Sequence, residues 1–206
     1  MADLLEGITW LGHDSFCIQA PEGVIYVDPW KLRDAKPADL ILITHEHHDH
    51  FSAEDVKKLR KPDTTIVTVA AVARQLKGDV RTVKPGDSLT VKGVKIEAVP
   101  AYNPAKQFHP KAAGHVGFII TAGGRRIYHA GDTDVIPEMS NIQTDVALLP
   151  IGGKYTMTAS EAAEAANLIK PKVAVPMHWG GIIGTHADAE EFKKASKVPV
   201  EILEAE

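Results

Sequence analysis

The chain of 206 residues is 44% hydrophobic and 24% charged, with a formal net charge of −4. That composition suits a soluble globular protein able to bury a sizeable core, and with no basic tract it argues against a general polyanion binder. Its single cysteine, Cys17, excludes an intrachain disulfide framework and fits a reducing compartment.

In chain order, Ile8 to Leu11, Ser15 to Gln19 and Val24 to Val27 read as short strands, with a turn at Pro21-Glu22-Gly23. Cys17 lies in the second of these, between Phe16 and Ile18, as a buried structural thiol. Asp28-Pro29-Trp30 ends the third strand, because proline cannot continue a ladder. A strand over Leu40 to Thr44 leads into a His-rich loop. Ser52 is the N-cap of a helix through Arg60, stopped by Lys61-Pro62. Thr65 to Val69 is a strand, Ala71 to Leu76 a short helix, and Val94 to Val99 another strand. A long aperiodic loop spans Ala101 to Ala113, the kind of segment that carries function in compact domains. Gly117 to Ala122 and Arg126 to His129 form a hairpin about Gly123-Gly124. Val146 to Pro150 is strand-like, and Thr158 to Glu161 is a capping box opening an Ala-rich helix that stops at Lys170-Pro171. Val173 to Pro176 is a strand, Ala187 to Ala195 a helix and Val198 to Leu203 a last strand. The pattern predicts one α/β domain over residues 1–206, with two sheets face to face and helices outside.

Residues Thr44 to Phe51 read Thr-His-Glu-His-His-Asp-His-Phe, four imidazoles and two carboxylates in eight positions. Neutral imidazole is the commonest protein metal ligand, and this nitrogen–oxygen donor set suits zinc, with iron or manganese as second choices. A terminal His-rich tag or surface metal trap would not follow a buried strand, whereas ligands at a rigid strand exit are pre-organised. Three weaker signals fall at similar places: Asp132 in Gly131-Asp132-Thr133, His178 in Met177-His178-Trp179, and His109 in the long loop. Each alone reads as a turn carboxylate or a packed histidine. Together with His45, His47, Asp49 and His50 they make seven donors, enough for two metal ions with open positions. His13 and His129 lie beside the site in sequence and can orient ligands. His48, His115 and His186 read as solvated or packing residues.

This constellation resembles the metallo-β-lactamase fold superfamily of metal-dependent hydrolases, over essentially the whole chain. The shared residues are Thr44-His45-x-His47-x-Asp49-His50, Gly131-Asp132-Thr133 and His178. Finer details resemble a branch distantly similar to ascorbate-6-phosphate lactonase and N-acyl phosphatidylethanolamine phospholipase D. They are Gly12-His13-x-Ser15-Phe16, Val27-Asp28-Pro29, Tyr128-His129-Ala130, Leu149 to Gly153 with Tyr155-Thr156-Met157, and Pro176-Met177-His178. The resemblance implies a four-layer αββα sandwich. It implies one metal on His45, His47 and a third histidine, a second on Asp49, His50 and His178, and Asp132 bridging. Many relatives place the third histidine in a Pro-x-x-His pattern after the strand that here ends at Pro100. This chain has Asn103 there, so His109, His115 or no protein group completes the first site, and His109 is favoured because the flexible stretch before it allows approach. Asp28 and Asn103 are further candidates for orienting ligands.

The chemistry expected is hydrolysis of an ester, lactone, thioester or phosphodiester by a hydroxide held on two divalent ions, most simply zinc. Asp49 is the expected catalytic carboxylate, orienting the nucleophile and carrying a proton. The substrate is expected to be a small molecule met by loops 101–113 and 152–157. Lys106, Lys111 and Lys154 can attract an anionic group there, beside Tyr155, while Tyr102, Phe108 and Trp179 either line a pocket or pack. Two rivals remain: a di-iron redox protein on the same fold, whose relatives resemble His-x-Glu-x-Asp where position 47 here is His, and a non-catalytic metal-binding scaffold. No stretch approaches the roughly 20 apolar residues needed to span a bilayer, and no signal peptide opens the chain, so a cytoplasmic location without a nucleic-acid partner is expected. Oligomeric state is not legible.

Overall fold

The computed structural model describes residues 2–206. Short apolar strands broken by Gly, Pro and Asp assemble into two six-stranded sheets. A short helix, α1 (Ala2–Leu5), precedes the first sheet. That sheet runs in chain order: β1 (Ile8–Gly12), β2 (Ser15–Ala20), β3 (Gly23–Val27), β4 (Ala38–Ile43), β5 (Arg60–Thr68) and β6 (Val80–Thr82). The second runs likewise: β7 (Ser88–Val91), β8 (Val94–Pro100), β9 (Val116–Ala122), β10 (Arg125–His129), β11 (Val146–Pro150) and β12 (Val173–Met177). Both sheets are mixed. β1–β2–β3 pair antiparallel and β3 to β6 parallel; β7 to β10 pair antiparallel and β10–β11–β12 parallel.

The parallel halves require crossovers, and three of these carry helices, α2 (Ala53–Leu59) and α3 (Ala70–Ala73) in the first half and α4 (Ala159–Ile169) in the second, while α5 (His186–Ala195) follows the last strand. Every residue of β11 and β12 is buried, as expected of parallel strands covered on both faces. β8, in the antiparallel half, alternates buried and exposed positions over its first half. Ala159, Ala162, Ala163, Ala165 and Ala166 are buried on α4, a face of small side chains that lets the helix lie close to its neighbours. The sheets share one contiguous apolar core, from Phe16, Ile18 and Leu40 on one side to Phe118 and Tyr128 on the other. Cys17 is buried in it, and burial raises its thiol pKa. The α/β sandwich expected of the sequence is therefore the fold observed.

Helix starts follow their caps. Ser52 accepts from the Asp55 amide, and Thr158 and Thr185 each form a reciprocal capping box, with Glu161 and Asp188. Some boundaries differ from expectation. Helix α2 stops at Leu59, and Arg60 already begins β5, which runs through Pro62. Helix α3 is four residues, not six, and starts one residue earlier than expected. Strands β6 and β7 were not expected, being short, polar and half exposed. Val198 to Leu203 is not a strand: it touches β12 through one bridge, Val200 with Ala174, and Pro199 within it has no amide to donate.

What the fold does for function is bring strand exits to one edge. The residues after β1, β3, β4, β8, β10 and β12 are, in turn, His13-Asp14, Asp28, Thr44 to His50, Asn103 to His109, Asp132 and His178. At Gly117 on β9 an added Cβ would lie 2.7 Å from the Ala130 carbonyl oxygen and 2.8 Å from that of His129. Gly117→Ala is expected to destabilise the fold by roughly 1–3 kcal/mol, since backbone cannot yield as a side chain can. Denaturant unfolding, read as a lower midpoint at unchanged slope, checks it.

Candidate metal centre

The site begins with a buried carboxylate. Asp28, at the end of β3, accepts hydrogen bonds from the Thr44 amide (2.8 Å) and the Thr44 hydroxyl (2.6 Å), and its Oδ2 lies 2.8 Å from His50 Nδ1. The Thr44 hydroxyl has one proton and gives it to Asp28, so it must accept from His45 Nδ1, 2.9 Å away. Both histidines thereby bond through Nδ1 and turn Nε2 toward Asp132. That is the arrangement by which a carboxylate orients a metal-binding imidazole.

Two groups of donors form around Asp132, which is buried after β10. In the first, His47 Nδ1 lies 3.0 Å from His45 Nε2 and 3.2 Å from His109 Nε2, and Asp132 Oδ2 lies 3.1 Å from His109 Nε2 and 3.9 Å from His45 Nε2. In the second, Asp132 Oδ1 lies 3.2 Å from His50 Nε2 and 3.3 Å from His178 Nε2. The two oxygens of one carboxylate thus face two separate nitrogen sets. Ligands about 2.0–2.1 Å from a common tetrahedral centre stand roughly 3.4 Å from each other, so both groups have the size of a zinc-type cage. Asp132 Oδ1, His50 Nε2 and His178 Nε2 have no hydrogen-bond partner despite full burial. Atoms that close and that poorly aligned point at a shared position rather than at each other, and the donor set therefore fits divalent ions.

His109 is brought in by Asn103. The Asn103 side-chain oxygen lies 2.8 Å from His109 Nδ1 and accepts from the His109 amide at 3.1 Å, while its Nδ2 donates to the Tyr155 carbonyl. The Asn103 amide also donates to the His109 carbonyl at 2.8 Å, closing the loop as a small ring. Asn103 therefore presents the histidine. His115 points elsewhere, with Nε2 3.4 Å from Glu46, and belongs to neither donor group. His48 and His186 are exposed.

Asp49 stands at the mouth, its Oδ2 3.1 Å from His13 Nε2 and 4.0 Å from His50 Nε2. Burial alone would raise its pKa; the hydrogen bond from His13 and the charge of His50 outweigh it, and the carboxylate stays below its usual range. Burial lowers His13 to about 4 and His45 well below its ordinary value. Burial also opposes charge on His178, but the Asp132 and Asp14 carboxylates win and raise it to about 9. His129 ties the frame together: its Nε2 donates to the Asp14 carbonyl at 2.8 Å, and its Nδ1 accepts from the Gly131 amide at 3.2 Å. Gly152 leaves room for His178, because a Cβ there would lie 2.5 Å from His178 Nδ1.

Sequence reasoning missed Asp14. It sits in the turn between β1 and β2 and is fully buried, with Oδ2 3.3 Å from His50 Nε2 and 3.9 Å from His178 Nε2. A carboxylate in a two-residue turn looks like ordinary turn chemistry, and only its burial marks it out. The expected cation row is also different in detail. Lys106 is bound to Asp134 (2.6 Å) and the Thr156 carbonyl, and Lys111 to Glu138 (2.8 Å), which leaves Lys154, exposed beside Tyr155. Tyr102 is buried with its hydroxyl on Glu138, and Trp179 stacks on Trp10, so both pack. A mouth of about 240 Å³ opens over the donors, lined by His47, Asp49, Phe108, Tyr155, His178 and Ile182.

Residues 7–178 match the family described as the beta-lactamase superfamily domain. A UPF0173 metal-dependent hydrolase of Pyrococcus abyssi is 38% identical, over 91% of this chain and 90% of its own length. A Parabacteroides distasonis protein of known crystal structure is 38% identical, covering 97% of this chain and 93% of that one, with a TM-score of 0.87. Igni18, a metallo hydrolase of Ignicoccus hospitalis, is 27% identical with a TM-score of 0.80, over 96% of this chain and 94% of its own. The chain belongs to this superfamily and is a metal-dependent hydrolase of the metallo-β-lactamase fold.

Proposed function

We propose that the protein is a dinuclear hydrolase of small-molecule esters, lactones, thioesters or phosphodiesters. The observation that carries this is the split of Asp132, one oxygen toward His45, His47 and His109 and the other toward His50 and His178. His45, His47 and His109 would hold one divalent ion, zinc by the nitrogen-rich donor set. Asp49, His50 and His178 would hold a second, with Asp132 shared. When bound, such a pair supplies a water deprotonated near neutral pH and a Lewis acid for the carbonyl or phosphoryl oxygen.

The protein's own groups do the rest. Asp49, kept ionised and pinned by His13, orients the nucleophilic water at the mouth and takes its proton for delivery to the leaving group. Asp28 and Asn103 hold His50 and His109 in register. Phe108, Tyr155 and Ile182 form an apolar lip that excludes water from the bound group, and Lys154 is the cation beside it for an anionic substituent. Membership of a hydrolase family favours this reading over the di-iron redox protein and the non-catalytic scaffold. Among the described residues no helix is long and apolar enough to cross a membrane. A single domain fits the shared core of the two sheets, and a cytoplasmic location fits the lone buried Cys17.

Elemental analysis of metal-loaded protein is expected to give two ions per chain, and a panel of chromogenic phosphodiesters, lactones and thioesters identifies the bond; one ion per chain or fewer would sink the proposal. His47→Ala is expected to lower kcat/KM on the responsive substrate by at least about a hundredfold, more than loss of an orienting partner costs. Asn103→Ala keeps every proposed ligand but frees His109, and it is expected to weaken binding of the first ion by roughly 10–100-fold in a chelator competition. Lys154→Ala is expected to raise KM up to about fivefold with kcat kept, as for an exposed ion pair; an unchanged KM removes this lysine from recognition.

A further inference from the structure

We infer that Asp14 is an additional protein ligand of the second metal position, opposite in origin to Asp49, which makes that position carboxylate-rich. The inference rests on the two-ion reading above. It starts from a buried carboxylate that makes no hydrogen bond. Asp14 is fully buried, and neither of its carboxylate oxygens has a hydrogen-bond partner. A turn aspartate ordinarily accepts from a backbone amide nearby; this one does not. A carboxylate without hydrogen bonds in a protein interior is costly unless cationic charge compensates it.

Its surroundings say what that something is. Asp14 Oδ2, His50 Nε2, Asp132 Oδ1 and His178 Nε2 form one donor group, with separations of 3.3 Å (Asp14–His50), 3.2 Å (Asp132–His50), 3.3 Å (Asp132–His178) and 3.9 Å (Asp14–His178). Those are the edges of a small coordination cage, and all four residues are buried. Every one of the four donor atoms lacks a hydrogen-bond partner.

The turn cannot easily swing the carboxylate away. The His13 carbonyl accepts from Trp10 Nε1 at 2.8 Å and from the His178 amide at 3.0 Å, and the Asp14 carbonyl accepts from His129 Nε2 at 2.8 Å. The His178 amide bond is informative, since it ties the Asp14 turn directly to the backbone of another donor. Asp49 approaches the same two histidines in a separate donor group with His13. The second position would thus be framed by three carboxylates and two imidazoles, against one carboxylate and three imidazoles for the first. Oxygen-rich surroundings suit harder ions such as Mn²⁺, which imidazole-rich ones do not favour. The two positions are therefore chemically unequal, and Asp14 is the residue that makes them so.

The test is metal binding, read without reference to turnover. Chelator-treated wild type and Asp14→Asn are titrated with Zn²⁺ against a chromogenic chelator, and separately with Mn²⁺ followed by electron paramagnetic resonance. Asp14→Asn is expected to bind the first ion as wild type does and the second at least about tenfold more weakly, with the greater loss for Mn²⁺. Its melting temperature is expected to rise less on metal addition than that of wild type. Asp14→Ser, which suits a tight turn, is the second variant and is expected to behave alike. Two ions bound by either variant with wild-type affinities would overturn the role of Asp14 alone. A wild type that takes up no more than one ion per chain would overturn the two-ion reading, and this inference with it.

Discussion

The hydrogen bonds around Asp28 set the geometry on which the rest of the site depends. One carboxylate, at the end of β3, takes the amide and hydroxyl of Thr44 at the end of β4 and the Nδ1 of His50 beyond it. Because Thr44 passes the constraint to His45, one anion determines which nitrogen faces inward on both sides of Asp132. Parallel pairing of β3 and β4 places the two strand exits side by side, so the sheet register and the ring orientations are one problem with one solution.

Around this frame the protein concentrates opposing charge among buried side chains. Asp14, Asp28 and Asp132 are buried alongside His45, His50, His109 and His178. The carboxylates hold His50 and His178 above their ordinary pKa against the effect of burial, and the same histidines hold Asp132 below its own. Asp14 is pushed up to about 8, chiefly by burial. Protons thus occupy positions where cations would sit, and metal binding at such a site releases them. The polar cluster is supported by tightly packed backbone, and Gly117 and Gly152 leave no room for a Cβ beside His129, Ala130 and His178.

Much of this was legible in the chain. The strand Leu40 to Thr44, the motif that follows it, the hairpin about Gly123-Gly124 and the capped Ala-rich helix all appear close to their expected places, because each has a strong local signal. The short strands β6 and β7 were not, since three or four half-exposed residues carry no period to detect. Pro62 in β5 misled for a related reason: it reads as a break, yet it lies in the strand's exposed first part.

The sequence by itself determined the inventory of donors and the kind of fold that could gather them. Apolar runs ending in His or Asp are a local property, and residue types fix what a site can bind. Tertiary structure alone decided which donors meet. Asn103 and His109 are six residues apart, and only the loop's closure shows that one presents the other. His115, the reserve choice to His109 on sequence, faces Glu46. Asp14 carries no sequence signal at all; it acquires meaning because pairing of β1 with β2 buries its turn against His50 and His178, contacts across 36 and 164 residues of chain that follow from packing and not from local preference.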